Sequence, residues 1–79
     1  MTKPLEATPF NRLLLTGAAG GLGKVLRPRL AAMCKTLRVS DIGAMEAAAA
    51  HEEVVTCDLG DAGAVYSLLA GVDAVVHLG

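Results

Sequence analysis

Residues 13–23 read LLLTGAAGGLG, a run of leucines that passes directly into a cluster of small residues. The cluster includes four glycines: Gly17, Gly20, Gly21 and Gly23. Glycine loses more backbone freedom on folding than any other residue, so several glycines in one folded turn carry a cost in free energy. We therefore infer that this turn lets a ligand approach the backbone closely.

The segments on either side of the glycines have the patterns of a buried strand and a helix. Residues 12–16 form a short apolar run, which is typical of a strand buried on both faces. After the glycines, apolar residues recur at helical spacing. The predicted buried face of this helix consists of Leu22, Val25, Leu26, Leu30 and Met33. Pro28 lies within this helix, where it would either kink the helix or cost about 3 kcal/mol.

The rest of the chain predicts three further strands and a second helix. The strands are TLRVSD (36–41), EVVTCD (53–58) and DAVVHLG (73–79). Asp61 is placed to cap the second helix at its start, and Gly71 is placed to close it. The segment IGAMEAAAAHEE is rich in alanine but has no apolar stripe, so we expect a loop with a turn or two of helix there.

The order of these elements predicts the fold. Strands that alternate with crossover segments pair in parallel, with right-handed connections. We therefore expect an α/β, Rossmann-like partial sheet with the strand order 3-2-1-4, in which the chain ends after the fourth strand. Residues 1–11 have no hydrophobic period and are expected to form a leader, so that the domain occupies residues 12–79.

Composition narrows the functional classes. The 79 residues carry a net charge of −1, which gives no support for a nucleic-acid partner. No run approaches the roughly 20 apolar residues of a membrane span, and the N-terminus lacks a signal sequence. Cys34 and Cys57 have no metal-ligand spacing, so we expect reduced, buried thiols, no metal site and a cytoplasmic location.

The glycine spacing indicates a dinucleotide-binding turn. Gly17, Gly20 and Gly23 form the pattern G-x-x-G-x-x-G, between the predicted strand and helix, and Asp41 follows 18 positions after Gly23. In such a turn the first glycine permits the sharp bend, the second lets a pyrophosphate approach, and the third allows close packing. The N–H groups at the start of the helix would then face the negative charge. A glycine-rich turn without a ligand is the alternative.

Two acidic residues are expected at the carboxyl ends of neighbouring strands. Asp41 can accept hydrogen bonds from both ribose hydroxyls of a dinucleotide and would repel a 2′-phosphate, which favours NAD over NADP. Asp58 can accept a hydrogen bond from the adenine amino group, while Leu59 packs on the ring. The alternatives are that Asp41 caps the following loop and that Asp58 is a simple turn residue.

The sequence offers no candidate catalytic residue. His77 lies in an apolar strand, where a core histidine with satisfied hydrogen bonds is the expected role, and His51 is expected to be solvated. Tyr66 is followed four residues later by Ala70 rather than by lysine, so it cannot form a Tyr-x-x-x-Lys acid–base pair.

The quoted motifs also resemble a known family. NRLLLTGAAGGLGKVLRPRL, SDI, EEVVTCDL and GVDAVVHLG are similar to the N-terminal part of extended short-chain dehydrogenase/reductases, in the NAD-dependent epimerase/dehydratase group. More narrowly, the combination resembles the uronate dehydrogenase subfamily. The resemblance covers nearly all of residues 11–79.

The resemblance implies a cofactor, a substrate class and a set of contacts. Enzymes of this subfamily use NAD to oxidise C1 of D-glucuronate or D-galacturonate to an aldarolactone. The implied partners of the full-length relative are NAD and a uronic acid, and the sequence leaves a homo-oligomer open. The implied cofactor contacts are Gly17, Gly20, Gly21, Leu22, Gly23, Asp41, Ile42, Asp58, Leu59, Leu78 and Gly79.

The family's catalytic Tyr-x-x-x-Lys pair and its serine would lie beyond Gly79. We therefore expect this chain to be the NAD-binding portion of such an enzyme, inactive by itself. The other interpretations are a non-catalytic dinucleotide-binding module, the first half of a sugar-nucleotide epimerase or dehydratase, and an interaction fragment without a ligand.

Overall fold

The computed structural model describes residues 10–78. Most of the expected leader, residues 1–9, and the expected cofactor contact Gly79 lie outside the described residues. The elements in chain order are β1 (Phe10–Thr16), α1 (Gly21–Ala31), β2 (Cys34–Asp41), β3 (Glu52–Thr56), α2 (Ala62–Leu68) and β4 (Ala74–His77). β1 begins two residues before the expected domain boundary.

The four strands form one parallel sheet in the order β3-β2-β1-β4, which confirms the predicted Rossmann-like topology. β1 lies inside the sheet and pairs with β2 on one edge and with β4 on the other. Leu15, for example, lies opposite Val39 of β2 and Val76 of β4. The apolar run of β1 is therefore buried on both faces, as its sequence predicts.

The two helices cover opposite faces of the sheet. Because side chains alternate along a strand, Leu13 and Leu15 enter one core cluster while Leu14 enters the other. The first cluster includes Leu37 and Val39, with Leu26 and Leu30 of α1 packed against it. The second is built from Leu14, Cys57 and Leu68 of α2.

The predicted buried face of α1 is wrong in part. Leu26 and Leu30 pack on the sheet, but Leu22 and Val25 are 60% and 55% exposed. Gly23 and Arg27 are the buried residues of the helix instead. Compared with the predicted orientation, α1 is therefore rotated about its axis. Gly23 packs closely against Ala18 in the preceding turn, and a buried ion pair with Glu52 holds Arg27.

α1 continues through Pro28 as far as Ala31. Proline has no N–H, so the Lys24 carbonyl, four residues earlier, receives no helical hydrogen bond from it. Pro28 is exposed, so its ring projects away from the sheet. The expected interruption therefore lies on the solvent side, and the helix does not end there.

The connections around α2 follow the sequence closely. The Asp61 carboxylate accepts a hydrogen bond from the Ala64 N–H at 3.1 Å and caps the helix. Gly71 has a φ of +74°, a conformation that glycine adopts without strain. The alanine-rich segment before β3, however, contains no helical turn: residues 42–51 form an irregular loop, so that part of the prediction is wrong.

Candidate nucleotide-binding site

A cavity of about 280 Å³ opens at the carboxyl ends of β1, β2 and β3. The lining residues come from the turns that follow these three strands and from the last residues of the strands themselves. They are Thr16, Gly17, Ser40, Asp41, Ile42, Cys57, Asp58 and Leu59. In open parallel sheets, ligands bind in the crevice outside the carboxyl ends of the strands, so this cavity is the candidate site.

The glycine-rich turn forms one wall of the site. Gly17 has a φ of +71°, which a residue with a side chain rarely adopts, so the chain can turn sharply after β1. A Cβ at Gly23 would lie 2.5 Å from the Ala18 carbonyl oxygen, so α1 can approach the turn only with glycine there. These two positions have the geometry that the sequence predicts for the first and third glycines.

The two middle glycines leave open space beside the start of α1. A Cβ at Gly21 would meet nothing within 4 Å, and one at Gly20 would only touch the Gly17 carbonyl at 3.9 Å. Gly20 is the N-cap and makes no side-chain capping bond. The first N–H groups of a helix are electropositive and accept a negative group readily. The turn therefore has room and polarity for a phosphate.

Asp41 joins the end of β2 to the glycine-rich turn. Its carboxylate accepts hydrogen bonds from the Gly43 N–H and from the Ala19 N–H, each at 3.0 Å. These bonds, with Gly43 the larger cause, hold the pKa of Asp41 below its ordinary value of 3.8. The carboxylate is thus charged and fixed in place, and its remaining lone pairs can accept further hydrogen bonds.

The hydrogen bond between Asp41 and Ala19 was not predicted, although the sequence predicts both the glycine-rich turn and an aspartate at the end of the second strand. Residues 22 positions apart in the chain meet because β1 and β2 are adjacent and end at the same edge. The loop-capping alternative for Asp41 is also present, through Gly43. One carboxylate therefore organises the turns after both strands.

The turn after β3 forms the opposite wall. The Asp58 carboxylate accepts a hydrogen bond from the Gly60 N–H at 2.8 Å, and the Asp58 carbonyl accepts one from the Asp61 N–H. Leu59, after β3, and Ile42, after β2, are both exposed apolar residues that line the cavity. Exposed apolar side chains that flank a cavity can pack on a flat ring.

Two further predicted contacts, Leu22 and Leu78, do not line the cavity. Leu22 is exposed on the first turn of α1. Leu78, just after β4, donates its N–H to the Thr16 carbonyl at 3.2 Å and packs partly against the core. Both residues follow the carboxyl end of a strand, since Leu22 lies after the turn that follows β1 and Leu78 lies after β4.

His77 does not have the expected core position. The residue is exposed, and its Nδ1 forms a hydrogen bond with Thr16 Oγ1 on the neighbouring strand. Its ring therefore has a partner, as expected, although it is not buried. Tyr66 is 83% exposed on α2.

Within residues 10–78, no group of three or more His, Cys, Asp or Glu residues could hold a metal ion. No helix in this part of the chain is long and apolar enough to cross a membrane.

The chain is similar to several curated proteins named uronate dehydrogenase. It is 63% identical to the one from Pseudomonas putida over 76 residues, which are 95% of this chain and 28% of the relative. It is 54% identical to the one from Agrobacterium fabrum over 70 residues, which are 89% of this chain and 26% of the relative. The chain thus spans about a quarter of the length of the relatives it matches.

Solved structures give the same result. The structure of uronate dehydrogenase from Agrobacterium tumefaciens superposes with a TM-score of 0.86 at 53% identity, covering 89% of this chain and 26% of that one. A variant of that enzyme complexed with NAD superposes equally well. Glucuronic acid dehydrogenase from Chromohalobacter salexigens gives a TM-score of 0.83 at 54% identity, over 87% of this chain and 26% of that one.

A family-level comparison agrees with these individual matches. The sequence profile of the NAD dependent epimerase/dehydratase family matches residues 13–79, which begin inside β1 and include every predicted contact. The match covers most of the chain. The chain therefore belongs to the NAD dependent epimerase/dehydratase family.

Proposed function

We propose that this chain is the NAD-binding portion of a uronate dehydrogenase, an enzyme that oxidises C1 of D-glucuronate or D-galacturonate to the aldarolactone. The observation that carries the proposal is the Asp41 carboxylate, fixed by Ala19 and Gly43 at the edge of the cavity. The relatives with that name, and the NAD complex of one of them, support the choice of enzyme and cofactor.

The residues present fit a dinucleotide. The open space beside Gly21 would admit the pyrophosphate to the start of α1. The Asp41 carboxylate would accept hydrogen bonds from the ribose hydroxyls, and its charge would repel a 2′-phosphate. The exposed side chains of Ile42 and Leu59 would flank the adenine ring. NAD supplies the hydride acceptor of the reaction, whereas these residues bind and orient it.

The proposed contact set is the one implied by the family resemblance. It comprises Gly17, Gly20, Gly21, Leu22, Gly23, Asp41, Ile42, Asp58, Leu59, Leu78 and Gly79. The 79 residues contain no Tyr-x-x-x-Lys pair. General acid–base groups contribute about 10²–10⁴-fold to catalysis, so we expect this chain alone to bind NAD without oxidising a uronic acid.

Binding of reduced cofactors tests the proposal directly. Binding of NADH and NADPH can be followed by the fluorescence of the reduced nicotinamide, which the protein itself does not share. We expect saturable binding of NADH and at least tenfold weaker binding of NADPH. Addition of glucuronate and NAD should produce no NADH above a boiled control. Equal affinity for the two reduced cofactors, or no saturable binding of NADH, would contradict the proposal.

We further propose that the protein acts in the cytoplasm. Cys34 and Cys57 are both buried as free thiols, and burial is the main cause that raises the pKa of Cys34. Such thiols are typical of reducing compartments. Fractionation of the native host cells, with detection by antibody, should find the protein in the cytosolic fraction and not in an exported one.

A further inference from the structure

Three polar residues form a row across the sheet at the level where the strands end. Thr16 on β1 lies opposite Ser40 on β2 and opposite His77 on β4. The Thr16 hydroxyl and the His77 ring form a hydrogen bond with each other. Ser40 is the third member of the row and takes no part in that bond.

The Ser40 hydroxyl is buried without a partner. The residue is 1% exposed, and its Oγ makes no hydrogen bond to any residue in the described part of the chain. A buried polar group that lacks a hydrogen bond destabilises the fold, and native structures contain few such groups. An unpaired buried hydroxyl beside a candidate binding site lowers the stability of the fold there, and such a loss of stability is common at functional sites.

The side chain of Ser40 belongs to the floor of the candidate site. Along β2 it lies on the same face as Arg38, whose guanidinium reaches the end of α2 and donates to the Leu68 carbonyl at 2.6 Å. Cys57 lines the cavity beside it and directs its thiol to the Asp58 carbonyl at 3.7 Å. The Ser40 hydroxyl therefore borders the cavity and forms no hydrogen bond with any described residue.

We propose that Ser40 Oγ hydrogen-bonds the adenine base of the bound dinucleotide, an inference that rests on the proposed function. The next residue, Asp41, is the one placed to hold the ribose, and Ile42 and Leu59 flank the same cavity. A base seated between these groups lies over Ser40. A hydroxyl both donates and accepts, so it can pair with a ring nitrogen or with the exocyclic amino group of adenine.

The substitution Ser40→Ala separates this role from a structural one. Without ligand, we expect its unfolding midpoint to equal or exceed that of the wild type by a few degrees, because the unpaired hydroxyl is removed. The dissociation constants of NAD and of AMP should both rise about five- to tenfold, the loss of one hydrogen bond. The dissociation constant of nicotinamide mononucleotide, which has no adenine, should stay unchanged.

Ser67→Ala is the matched control, since it removes the same atom from an exposed position on α2 outside the cavity. It should leave every affinity at the wild-type value. If Ser40→Ala lowers the unfolding midpoint, or binds NAD and AMP as tightly as the wild type, the inference is overturned while the proposed function stands. If the wild type binds neither NAD nor AMP, the proposed function fails, and this inference fails with it.

Discussion

Arg27 and Glu52 form a two-point ion pair beneath the loop that follows Asp41. Nη2 of the guanidinium lies 2.9 Å from Oε1 of the carboxylate, and Nε lies 3.1 Å from Oε2. The two side chains are only 9% and 7% exposed. The guanidinium also donates to the Glu46 and Ala47 carbonyls. The pair thereby ties α1 to β3 and to the irregular loop between β2 and β3.

Removal of one partner from this pair should destabilise the fold strongly. Glu52→Ala leaves the Arg27 guanidinium buried without its counter-charge, which costs about 3–5 kcal/mol. Glu53→Ala is the control, because the neighbouring carboxylate is 38% exposed and pairs with Arg12 and Arg38. Surface ion pairs contribute about 0–1 kcal/mol, and the Glu53 side of these pairs is open to solvent although Arg38 is only 13% exposed, so chemical denaturation should show a smaller loss for the control. Similar losses for both variants would contradict the importance of burial.

The same pair predicts a dependence of stability on pH. The hydrogen bond from Arg27 is the main cause that holds the pKa of Glu52 below its ordinary value of 4.5. A carboxyl whose pKa is lowered by folding stabilises the fold above its unfolded pKa, and this contribution is lost as the pH falls through the folded pKa. The unfolding midpoint should therefore fall more steeply below pH 4.5 in the wild type than in Glu52→Gln. Parallel curves for the two proteins would be evidence against this linkage.

The glycine-rich turn offers a pair of matched substitutions. Gly23→Ala places a Cβ 2.5–2.7 Å from the Ala18 backbone, which cannot move aside, so the unfolding midpoint should fall. Gly21→Ala meets nothing within 4 Å and replaces a glycine with a better helix former. Its midpoint should hold or rise, while its affinity for NADH should fall because the methyl group occupies the space for the pyrophosphate. Unimpaired NADH binding by Gly21→Ala would argue against that location.

The selectivity for NAD should depend on the charge of Asp41. Asp41→Asn keeps an oxygen that can accept a hydrogen bond from Ala19 or Gly43 but removes the charge. We expect NADH to bind about tenfold more weakly and NADPH to bind equally well or better, so that the two affinities converge. Asp61→Asn, which preserves a capping oxygen on α2, is the control and should retain the wild-type preference. An unchanged preference in Asp41→Asn would show that another group selects the cofactor.

Pro28 should limit the stability of α1. Pro28→Ala restores an N–H that can bond the Lys24 carbonyl, and alanine is favoured over proline within a helix by up to about 3 kcal/mol. Thermal unfolding followed by circular dichroism should show a midpoint several degrees higher. Arg29→Ala is the control at the next exposed position. Because Arg29 has a backbone N–H, this substitution restores no hydrogen bond and should change the free energy of unfolding by less than about 1 kcal/mol. A midpoint that stays the same or falls would mean that the proline suits the helix.

The topology was predictable because the signals for it are local. The leucine run of β1, the Asp61 cap and the turn at Gly71 each depend on a few neighbouring residues, and each lies where the sequence places it. The order of the strands then follows from the handedness of their connections. The glycine spacing likewise predicted where the chain bends and where α1 comes close.

The features that were not predicted depend on distant partners. Helical spacing selected Leu22 and Val25 as buried, but Arg27 is buried in their place because Glu52, 25 residues later, meets it. Ser40 is buried at the end of β2 without a hydrogen-bond partner in the described residues, which no local pattern records. A sequence pattern alone predicts that charged and hydroxyl side chains face solvent. Arg27 and Ser40 are buried instead, because of how the strands and α1 pack together.

The inner position of β1 has a consequence for synthesis. Its first partner, β2, follows it closely along the chain, but its second partner, β4, comes about 60 residues later. At a translation rate of about 5–20 residues per second, one edge of the leucine strand waits about 3–12 seconds on the ribosome for its neighbour. During that interval its free N–H and C=O groups can template pairing with another nascent chain. Within residues 10–78, the strand whose leucines are buried on both faces is thus open to misassembly on one edge while the protein is being made.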